Sequence, residues 1–415
     1  MSRVIAFCFL LLASVLGYLH IDSRPVWAPF AIDHPVNNPS QSDETLELAE
    51  PSRPVKNPKN AVPLKLTPPS LRTDWLPDTG APSVHAASLI ALKDGGVRAF
   101  WFAGSREGAP DVVINTSVFD SRESRWSAPT VVMDRITAEK GLSRYIAKLG
   151  NPVPARMADG RMQLFFVTVS IGGWAGSSIS SVISDDEGLT WDRPQRLISS
   201  PLINLSTLVK SPAISFSDGR LGLPAYHEWI GRFGEFLRIE ASQVIDKRRM
   251  SSGRGAIQPV LFDNGPQDAS AYFRQTRSSS QPKKIPVSET KDAGQSWSIT
   301  GDLEISNPNS AVAAVTLTNG TRLMVLNNIE AGRYRLVMVM REPGSPEWQV
   351  VQVLEDDESL SNDQRREFSY PYLISANGQD AHLAYTWDRK RIKHIYFPTD
   401  WFKHAANNLK EKEVQ

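Results

Sequence analysis

Six regularly recurring turns constrain the fold of this chain more than any other feature of its sequence. Each turn is an Asp-Gly or Asn-Gly pair that ends a run of β-prone residues, and such pairs are the strongest short signal for a β-hairpin. The pairs are Asp94-Gly95, Asp159-Gly160, Asp218-Gly219, Asn264-Gly265, Asn319-Gly320 and Asn377-Gly378. Each interval, of roughly 45–65 residues, has room for four short strands, which predicts a β-propeller with six blades.

A second motif agrees with this period. Residues 184–191 read Ser-Asp-Asp-Glu-Gly-Leu-Thr-Trp, and residues 290–297 read Thr-Lys-Asp-Ala-Gly-Gln-Ser-Trp. In this pattern, called an Asp-box, hydroxyl and carboxylate groups accept backbone N–H bonds in a tight turn, and glycine supplies a positive φ. The final tryptophan fills a gap beside the next sheet. We therefore predict an all-β fold: a six-bladed β-propeller of four-stranded antiparallel blades with Asp-box turns.

The tryptophans of the two motifs give an independent measure of the repeat. Trp191 and Trp297 are separated by two repeats of this length. Trp126 lies one repeat before Trp191, and Trp348 lies one repeat after Trp297, so degenerate boxes are predicted over 117–126 and 340–348. The third repeat lacks a box near 241–249. Residues 62–75 are candidates for a strand that closes the ring.

The N-terminal segment differs in composition from the rest of the chain. Arg3 precedes an apolar run from Ile5 to Leu19, whose length fits a signal-peptide core better than a membrane-spanning helix. No small-x-small cleavage site follows, so an uncleaved membrane anchor is the alternative. Cys8, the single cysteine, lies inside this run, and the mature chain would therefore have no disulfide. We expect an exported protein, periplasmic or secreted, or tethered by this segment.

Composition divides the chain into four parts and excludes several functions. After residues 1–24, a linker over 25–74 contains ten of the 29 prolines, the propeller covers 75–405, and a polar tail covers 406–415. The net charge of +1 gives no basis for nucleic-acid binding. Seven scattered histidines do not have the spacing of metal ligands, so no metal or cofactor is predicted. We expect a monomer.

Propeller topology identifies the face on which a pocket would form. The beginning of each first strand and the end of each second strand share one face, whereas the Asp-boxes lie with the turns on the other. At this phase before the turns stand His85, Asn151, Lys210, Gln258, Asn307, Asn309, Glu367 and Tyr370. After the turns come Arg106, Glu107, Asp111, Trp174, Tyr226, His227, Glu228, Arg274, Asn327, Asn328, Arg333, Trp387 and Arg389. This set predicts a polar pocket around the ring axis.

The Asp-boxes, their spacing and these phases resemble the sialidase superfamily, specifically its BNR-repeat-like members, from about residue 75 to residue 401. Residues 102–111 (FAGSREGAPD), 307–310 (NPNS), 367–371 (EFSYP) and 385–389 (YTWDR) are similar to that subgroup. The resemblance implies a substrate carboxylate held by three arginines, an aspartic acid as acid/base, and a tyrosine nucleophile assisted by a glutamate. Tyrosine is an exception to the two-carboxylate scheme of most glycosidases.

The resemblance assigns roles to individual residues. Arg274 and Arg333 match two of the three arginines, Tyr370 matches the nucleophile, and Asp111 matches the acid/base. His85 stands where the first arginine is expected, and Arg106 is a candidate substitute. The glutamate position is close to Gln258, with Glu228 and Glu367 as alternatives.

Several of these residues also have a structural interpretation. Asp111 is either a turn cap or a proton donor whose pKa a neighbouring acid would raise. Trp174 and Trp387 either stack on a sugar ring or pack within a blade. His227 is a candidate base or a ligand to sugar hydroxyls, and Arg389 is either part of the pocket or a solvated strand edge.

Three functions follow as hypotheses. The first is a sialidase-like exo-glycosidase acting on an acidic sugar or glycan outside the cytoplasm. The second is a carbohydrate-binding propeller without turnover, which the absence of the first arginine favours. The third is a uronate polysaccharide lyase that uses tyrosine and histidine as base and acid while arginine neutralises the carboxylate.

Overall fold

The computed structural model describes residues 8–9, 11–13, 15–16, 26–27, 71–120, 123, 125–200, 203–251, 255–276 and 283–413. Most of the predicted signal or anchor segment (1–24) and most of the predicted linker (25–74) lie outside these residues. Residues 8–9, 11–13 and 15–16 are helical. Within the described ranges, no helix has both the length and the apolar character needed to cross a membrane.

The described strands form six separate sheets, which confirms the six-bladed β-propeller. Two short strands precede the first blade: β1 (Val26–Trp27) and β2 (Arg72–Trp75). Blade I contains β3 (Ser83–Ala91), β4 (Val97–Gly104), β5 (Val113–Asp120), β6 (Arg125–Trp126) and β7 (Thr130–Met133). Blade II contains β8 (Lys148–Arg156), β9 (Met162–Val169), β10 (Ser177–Ser184) and β11 (Gln195–Arg196). Blade III contains β12 (Leu208–Val209), β13 (Ile214–Ser215), β14 (Leu221–His227), β15 (Phe233–Glu240) and β16 (Gln243–Arg249).

The remaining blades have four strands each. Blade IV contains β17 (Ala256–Asp263), β18 (Ala269–Gln275), β19 (Ile285–Thr290) and β20 (Ser298–Leu303). Blade V contains β21 (Ala313–Thr316), β22 (Arg322–Leu326), β23 (Arg335–Arg341) and β24 (Gln349–Asp356). Blade VI contains β25 (Phe368–Ile374), β26 (Ala381–Trp387) and β27 (Arg391–Phe397), with β2 as its fourth strand. The other elements are the α-helices Arg135–Leu142 and Thr399–Glu413 and the 3-10 helix Trp174–Gly176.

The predicted turns define one face of the ring. Each Asp-Gly or Asn-Gly pair joins the first strand of a blade to the second, and every one of the six glycines has a positive φ, between 76° and 154°. The first strands of neighbouring blades contact one another, as β3 does with β8 and β21 with β25, and therefore surround the axis. We call the end of the ring with the six turns the turn face and the opposite end the pocket face.

The N-terminal strand β2 closes the ring. It pairs antiparallel with β27, with Thr73 opposite Ile395, and the Leu76 N–H donates to the Ile392 carbonyl at 3.0 Å. The strand expected within residues 62–75 thus covers the last four of them, while 62–70 lie outside the described residues. Strand β1, inside the predicted linker, pairs in parallel with β16 of blade III.

The C-terminal helix Thr399–Glu413 crosses the predicted boundary between propeller and polar tail. Trp401, Phe402 and Ala405 on this helix are buried in one apolar cluster with Phe397 of blade VI and Met340 of blade V. Full burial of a large apolar side chain contributes about 1.5–3 kcal/mol. The first two turns of the helix therefore belong to the folded ring.

The Asp-boxes form hydrogen-bonded turns on the turn face. The Ser184 hydroxyl accepts the Gly188 N–H at 2.7 Å, and the Asp186 carboxylate accepts the Thr190 N–H at 2.8 Å and its hydroxyl at 2.6 Å. These hydrogen bonds lower the pKa of Asp186 to about 2. The motif is a structural unit that satisfies the backbone N–H groups of its own turn.

The box tryptophans pack against the preceding blade, rather than the next one as the sequence suggested. Trp191 of blade II makes an edge contact with Phe100 of blade I at 5.8 Å between ring centroids. Trp297 of blade IV lies 5.2 Å from Phe236 of blade III. The reason is that the Asp-box follows the third strand of its blade, and this end of the strand faces the preceding blade.

Blade III lacks a box because its third and fourth strands are joined by a two-residue hairpin. Ala241 and Ser242 form this turn with φ angles of 45° and 65°, between the paired residues Glu240 and Gln243. Two successive positive φ angles are typical of the type I′ turn. The turn leaves no space for the eight residues of an Asp-box.

The apolar core is divided among the blade interfaces. Six clusters of buried residues occupy the junctions I–II, II–III, III–IV, IV–V, V–VI and VI–I, one at each. Strands β4 and β9 are buried along their whole length, including the polar side chains of Arg98 and Gln163. The ring is thus held by an apolar cluster at each junction, and a smaller cluster of Ala86, Phe102, Ala109 and Val112 packs against Tyr370 on the pocket face.

Candidate functional site

The same backbone distortion occurs in every blade on the pocket face. A non-glycine residue with φ between 40° and 64° lies within or just before each first strand; in blade order these are Ala86, Asn151, Ser206, Gln258, Asn309 and Tyr370. In blades I, II, IV and VI the strand register shifts at this residue. Such bulges redirect side chains and are concentrated at functional sites. The pocket face is therefore where side chains leave the regular strand pattern.

A continuous series of hydrogen bonds links nine residues from all six blades at this face. In order they are Glu107, Arg389, Glu367, Arg333, Asn309, Arg274, Gln258, Tyr226 and Asn151. All nine are among the residues that the sequence placed in an axial pocket. The positions of these residues in the sequence repeat thus correspond to groups that the fold brings together.

The floor of the site is a buried amide between two phenols. Gln258 donates from Nε2 to the hydroxyl oxygen of Tyr226 at 3.2 Å and to that of Tyr370 at 3.1 Å. Its carbonyl oxygen accepts from Arg274 at 3.1 Å. Gln258 and Tyr226 are each only 2% exposed. Burial, with the nearby Tyr370 and Glu228, raises the pKa of Tyr226.

Two arginines and two glutamates form an ion-pair group on the wall between blades V, VI and I. Glu367 accepts from Arg333 at 3.0 Å and from Arg389 at 2.9 Å, and Arg389 reaches Glu107 at 2.5 Å. Burial acts to raise the pKa of Glu367, but the bonds from Arg389 and the charges of both arginines lower it to about 2. Glu367 is therefore an ionised anchor for two guanidinium groups, and not a free base.

His85 is buried against Tyr370 and is influenced by the charges of three arginines. Its ring centroid is 4.3 Å from that of Tyr370, and neither ring nitrogen has a hydrogen-bond partner among the described residues. Burial and then the charge of Arg389 lower the pKa of His85 to about 3. Arg333 and Arg274 act on it in the same direction. The imidazole is therefore neutral, and the charges of three guanidinium groups act at the position of the expected first arginine.

Lys210 lies below the pocket inside the ring. Its ammonium group donates to the carbonyl oxygens of Val312, at 3.1 Å, and Pro371. Burial and the charge of Arg274 lower the pKa of Lys210 to about 7. The side chain connects blades III, V and VI, and its main contacts are structural.

Asp111 is in an exposed turn and accepts from the Ser105 N–H at 2.8 Å and the Ser105 hydroxyl at 2.9 Å. These bonds lower its pKa, so the expectation that a neighbouring acid raises it is wrong. The side chain of Arg106 is also exposed. The described contacts of both residues fit a loop at the rim better than the floor of the site.

Glu228 is the partly buried carboxyl group of the site whose pKa is raised, because burial outweighs the charges of Arg274 and Arg232. Its backbone N–H donates to the hydroxyl of Ser206 at 2.8 Å. Ser206 was absent from the candidate residues, since an isolated serine outside any motif carries no distinctive pattern. Ser206 positions the loop that presents Glu228.

Two other candidates have mainly structural contacts. His227 stacks on Phe233 at 4.8 Å and accepts the Ile230 N–H at 3.1 Å; burial lowers its pKa to about 4. Trp387 lies 5.5 Å from Trp75 at the ring-closing strand. Both side chains therefore support the ends of their strands.

Trp174 keeps one part of its ring near the site. It packs over Gly150, where a Cβ atom would lie 2.7 Å from the ring, and the Lys148 ammonium group lies 4.7 Å from its centroid. Glycine at position 150 is thus required by the tryptophan.

The asparagines Asn307 and Asn327 are fully buried and bond nearby backbone or side-chain groups, and Asn328 is buried beside Asn327.

The turn face offers a different kind of cavity. A space of about 770 Å³ lies between blades V and VI and the C-terminal helix, lined by residues such as Asn319, Gln379 and Lys403. None of the nine linked residues contributes to it. Within the described ranges, no three His, Cys, Asp or Glu side chains are grouped closely enough to hold a metal ion.

Comparison with solved structures shows similar folds in several sialidases. A Hadza microbial sialidase, Hz136, superimposes with a TM-score of 0.62 and 14% identity over 77% of this chain, which covers 66% of that protein. The NanB sialidase of Streptococcus pneumoniae gives a TM-score of 0.60 and 12% identity, covering 82% of this chain and 72% of its own. A protein of unknown function from Dyadobacter fermentans gives 0.61 and 11%, covering 80% and 99%. At these identities the likeness concerns the fold.

The sequence profile of a known family matches most of the propeller. The profile described as "BNR repeat-like domain" matches residues 95–383, from the first turn of blade I into the second strand of blade VI. A comparison with curated proteins finds no match. The matched region contains both Asp-boxes and most of the linked pocket residues. The chain therefore belongs to the BNR repeat-like family and is a sialidase-like six-bladed propeller.

Proposed function

We propose that this protein is a sialidase-like glycoside hydrolase that removes an acidic sugar from a glycan. The observation that carries the proposal is that Arg274, Arg333 and Arg389 lie in one continuous series of hydrogen bonds on the pocket face. Arginine binds carboxylates with paired N–H donors, so such a group favours an acidic ligand. The relatives of known structure with the same fold include sialidases.

The three arginines are not equally available for a ligand. Arg333 and Arg389 share Glu367, whereas among the described residues Arg274 bonds the neutral groups of Asn309 and Gln258 and no carboxylate. Arg274 would therefore make the main contact with the carboxylate of the sugar. The other two would contribute positive potential and fix the position of the sugar ring.

Glu228 is the proposed proton donor. A general acid must keep its proton near the working pH, and burial raises the pKa of this carboxyl group. In the proposed reaction Glu228 protonates the oxygen of the leaving group while the bond from that oxygen to the anomeric carbon breaks. A water molecule then adds its hydroxyl group to the anomeric carbon, and the proton that this water loses returns to the Glu228 carboxylate. Tyr370 would lie beside the reacting carbon.

A second candidate function is binding of the same sugar without turnover. The observation that favours it is the amide of Gln258, which donates to the Tyr370 hydroxyl where a carboxylate would be needed to remove its proton. In this case the pocket would recognise an acidic glycan and release it unchanged.

We also propose that the protein is a monomer and that it acts outside the cytoplasm. The apolar N-terminal run, which has the length of a signal-peptide core, supports the second point. Fusion of residues 1–74 to a reporter that is active only after export tests this point. Loss of export after replacement of the apolar run by polar residues is expected, and unchanged export would contradict it.

The function is tested with full-length protein and fluorogenic glycosides of N-acetylneuraminic acid, glucuronic acid and glucose. We expect release of the fluorophore from at least one acidic glycoside, loss of release in Glu228→Gln, and no release from the neutral glucoside. An unsaturated product absorbing in the ultraviolet would instead indicate a lyase. Binding of an acidic sugar without release by the wild-type protein would establish the second candidate, and absence of both would refute the two proposals.

A further inference from the structure

The hydrogen bonds around Gln258 allow only one orientation of its side-chain amide. The guanidinium group of Arg274 has donors and no acceptor, so the Gln258 atom that it contacts at 3.1 Å must be the carbonyl oxygen. The amide nitrogen therefore faces the phenols and donates to both of them. A φ of 49° within a strand bulge and an exposure of 2% hold the amide in this orientation.

A second amide fixes the other side of Tyr226. The Asn151 side chain lies 3.0 Å from the carbonyl oxygen of Val209, which can only accept, so Asn151 presents its nitrogen there. The same nitrogen is 3.4 Å from the Tyr226 hydroxyl oxygen. This oxygen therefore accepts from two amides, and its own proton must be donated elsewhere.

Both phenol protons are left for a ligand. No acceptor for the Tyr226 or Tyr370 hydroxyl lies within hydrogen-bond distance among the described residues, although each oxygen already accepts from Gln258. The outer nitrogen of Arg274 that bonds neither Gln258 nor Asn309 also has no partner in the described part of the chain. Tyr226, Tyr370 and Arg274 each bond the amide of Gln258, so three donors without an acceptor among the described residues lie around this one side chain.

We propose that the hydroxyl groups of Tyr226 and Tyr370, together with Arg274, bind the carboxylate of an acidic sugar, and that Gln258 orients both phenols for this task. The inference rests on the proposed recognition of an acidic sugar and specifies the atoms that perform it. Gln258 is a positioning residue, since it need not touch the sugar. Tyr370 acts as a hydrogen-bond donor that keeps its proton, and no bond forms between its oxygen and the sugar.

The test is calorimetric titration of full-length protein with N-acetylneuraminic acid, with glucuronic acid, and with the methyl ester of each. At least one acid is expected to bind more tightly than its ester, because the ester lacks the negative charge. Tyr226→Phe and Tyr370→Phe should each weaken binding of that acid about tenfold, the usual effect of one lost hydrogen bond to a charged group. The control Tyr396→Phe, in the outer part of blade VI, should bind like the wild type.

Gln258→Glu tests the orientation itself. A carboxylate at this position would accept from both phenols and pair with Arg274, so binding of the acid should fall further than in either phenylalanine variant. Melting temperatures show which variants fold. If Gln258→Glu does not fold, the two phenylalanine variants still test whether the hydroxyl groups bind the carboxylate. Two outcomes would overturn this inference alone. In the first, the wild-type protein binds an acid and both Tyr226→Phe and Tyr370→Phe bind it with unchanged affinity. In the second, the wild-type protein binds the acid no more tightly than its ester. Failure of both acids to bind the folded wild-type protein would overturn it together with the proposed function.

Discussion

Gly294 of the second Asp-box lies against Phe236 of the preceding blade so closely that a Cβ atom at position 294 would be 2.2 Å from the phenyl ring. The backbone φ of this glycine is also positive, at 80°. The glycine of the box is therefore required twice, once for the turn and once for the contact between blades. Trp297 of the same box packs on the same ring, so one phenylalanine receives both the glycine and the tryptophan of the motif.

Gly294→Ala is expected to destabilise the protein by about 3 kcal/mol, the sum of a left-handed φ and an overpacked contact. The matched control is Gly219→Ala, which has a similar φ of 76° but no atom within 4 Å of the added carbon, and should cost only about 1–2 kcal/mol. Urea unfolding measures both. Equal losses would show that the contact with Phe236 relaxes without cost.

Replacement of two carboxyl groups should distinguish the proton donor. Glu228→Gln is expected to lower the rate of glycoside cleavage by about 10²–10⁴, because it removes the proposed general acid. Asp111→Asn should retain most of the activity, since Asp111 binds Ser105 in an exposed turn and its pKa is lowered. The measurement is kcat at saturating acidic glycoside. A large loss in Asp111→Asn with little change in Glu228→Gln would reverse the assignment.

Lys210 should make the stability of the ring increase with pH above neutrality. Its pKa is about 7 in the folded protein, whereas its ordinary value is 10.5. Between these values the unfolded state binds more protons, so unfolding becomes less favourable as pH rises, by up to about 1.4 kcal/mol per pH unit. Lys210→Met should remove this dependence, and the exposed control Lys390→Met should keep it. Parallel pH profiles for Lys210→Met and the wild type would contradict the prediction.

Glu367 should make the stability of the folded protein depend on pH in the acidic range. Its folded pKa is about 2, well below the ordinary value of 4.5, so its contribution is present above pH 4.5 and is lost as the pH falls toward 2. Glu367→Gln is expected to be less stable than the wild type at neutral pH and to lose less stability over this acidic range. Melting temperatures across this range, with the exposed Glu358→Gln as control, provide the test. A steeper acid loss in Glu367→Gln would exclude the assigned role.

The blade pattern could be predicted from the sequence because its signals are local. The turn at Asp94-Gly95 is closed by a bond from the Gly96 N–H to the Asp94 carboxylate, and the bonds that Ser184 and Asp186 accept lie within the Asp-box itself. The hairpin of blade III could not be predicted in the same way, because Ala241 and Ser242 adopt left-handed angles without a glycine or asparagine. The fold imposes that turn on residues with no intrinsic preference for it.

The sequence indicated which residues lie at the pocket face. It could not indicate which of them bond one another. Phase in the repeat selected Arg389 and Glu107, yet their ion pair joins positions 282 residues apart, and no local pattern encodes it. The low pKa of Asp111 depends on Ser105, in a loop whose conformation has no sequence signature. Protonation states follow from such contacts and therefore require the structure.

Closure by strand β2 determines when the ring can be completed during synthesis. Arg72 pairs with Tyr396, so a strand that is made before blade I pairs with the last strand of the chain. At about 5–20 residues per second, the N-terminal strand waits for its partner for a time on the order of tens of seconds. At the end of that interval blades I to V have been made, and the apolar edges of blades I and V that pack against blade VI are still uncovered. The incompletely folded chain can therefore aggregate until its last blade is made. A chaperone or delayed release into another compartment would act in this interval.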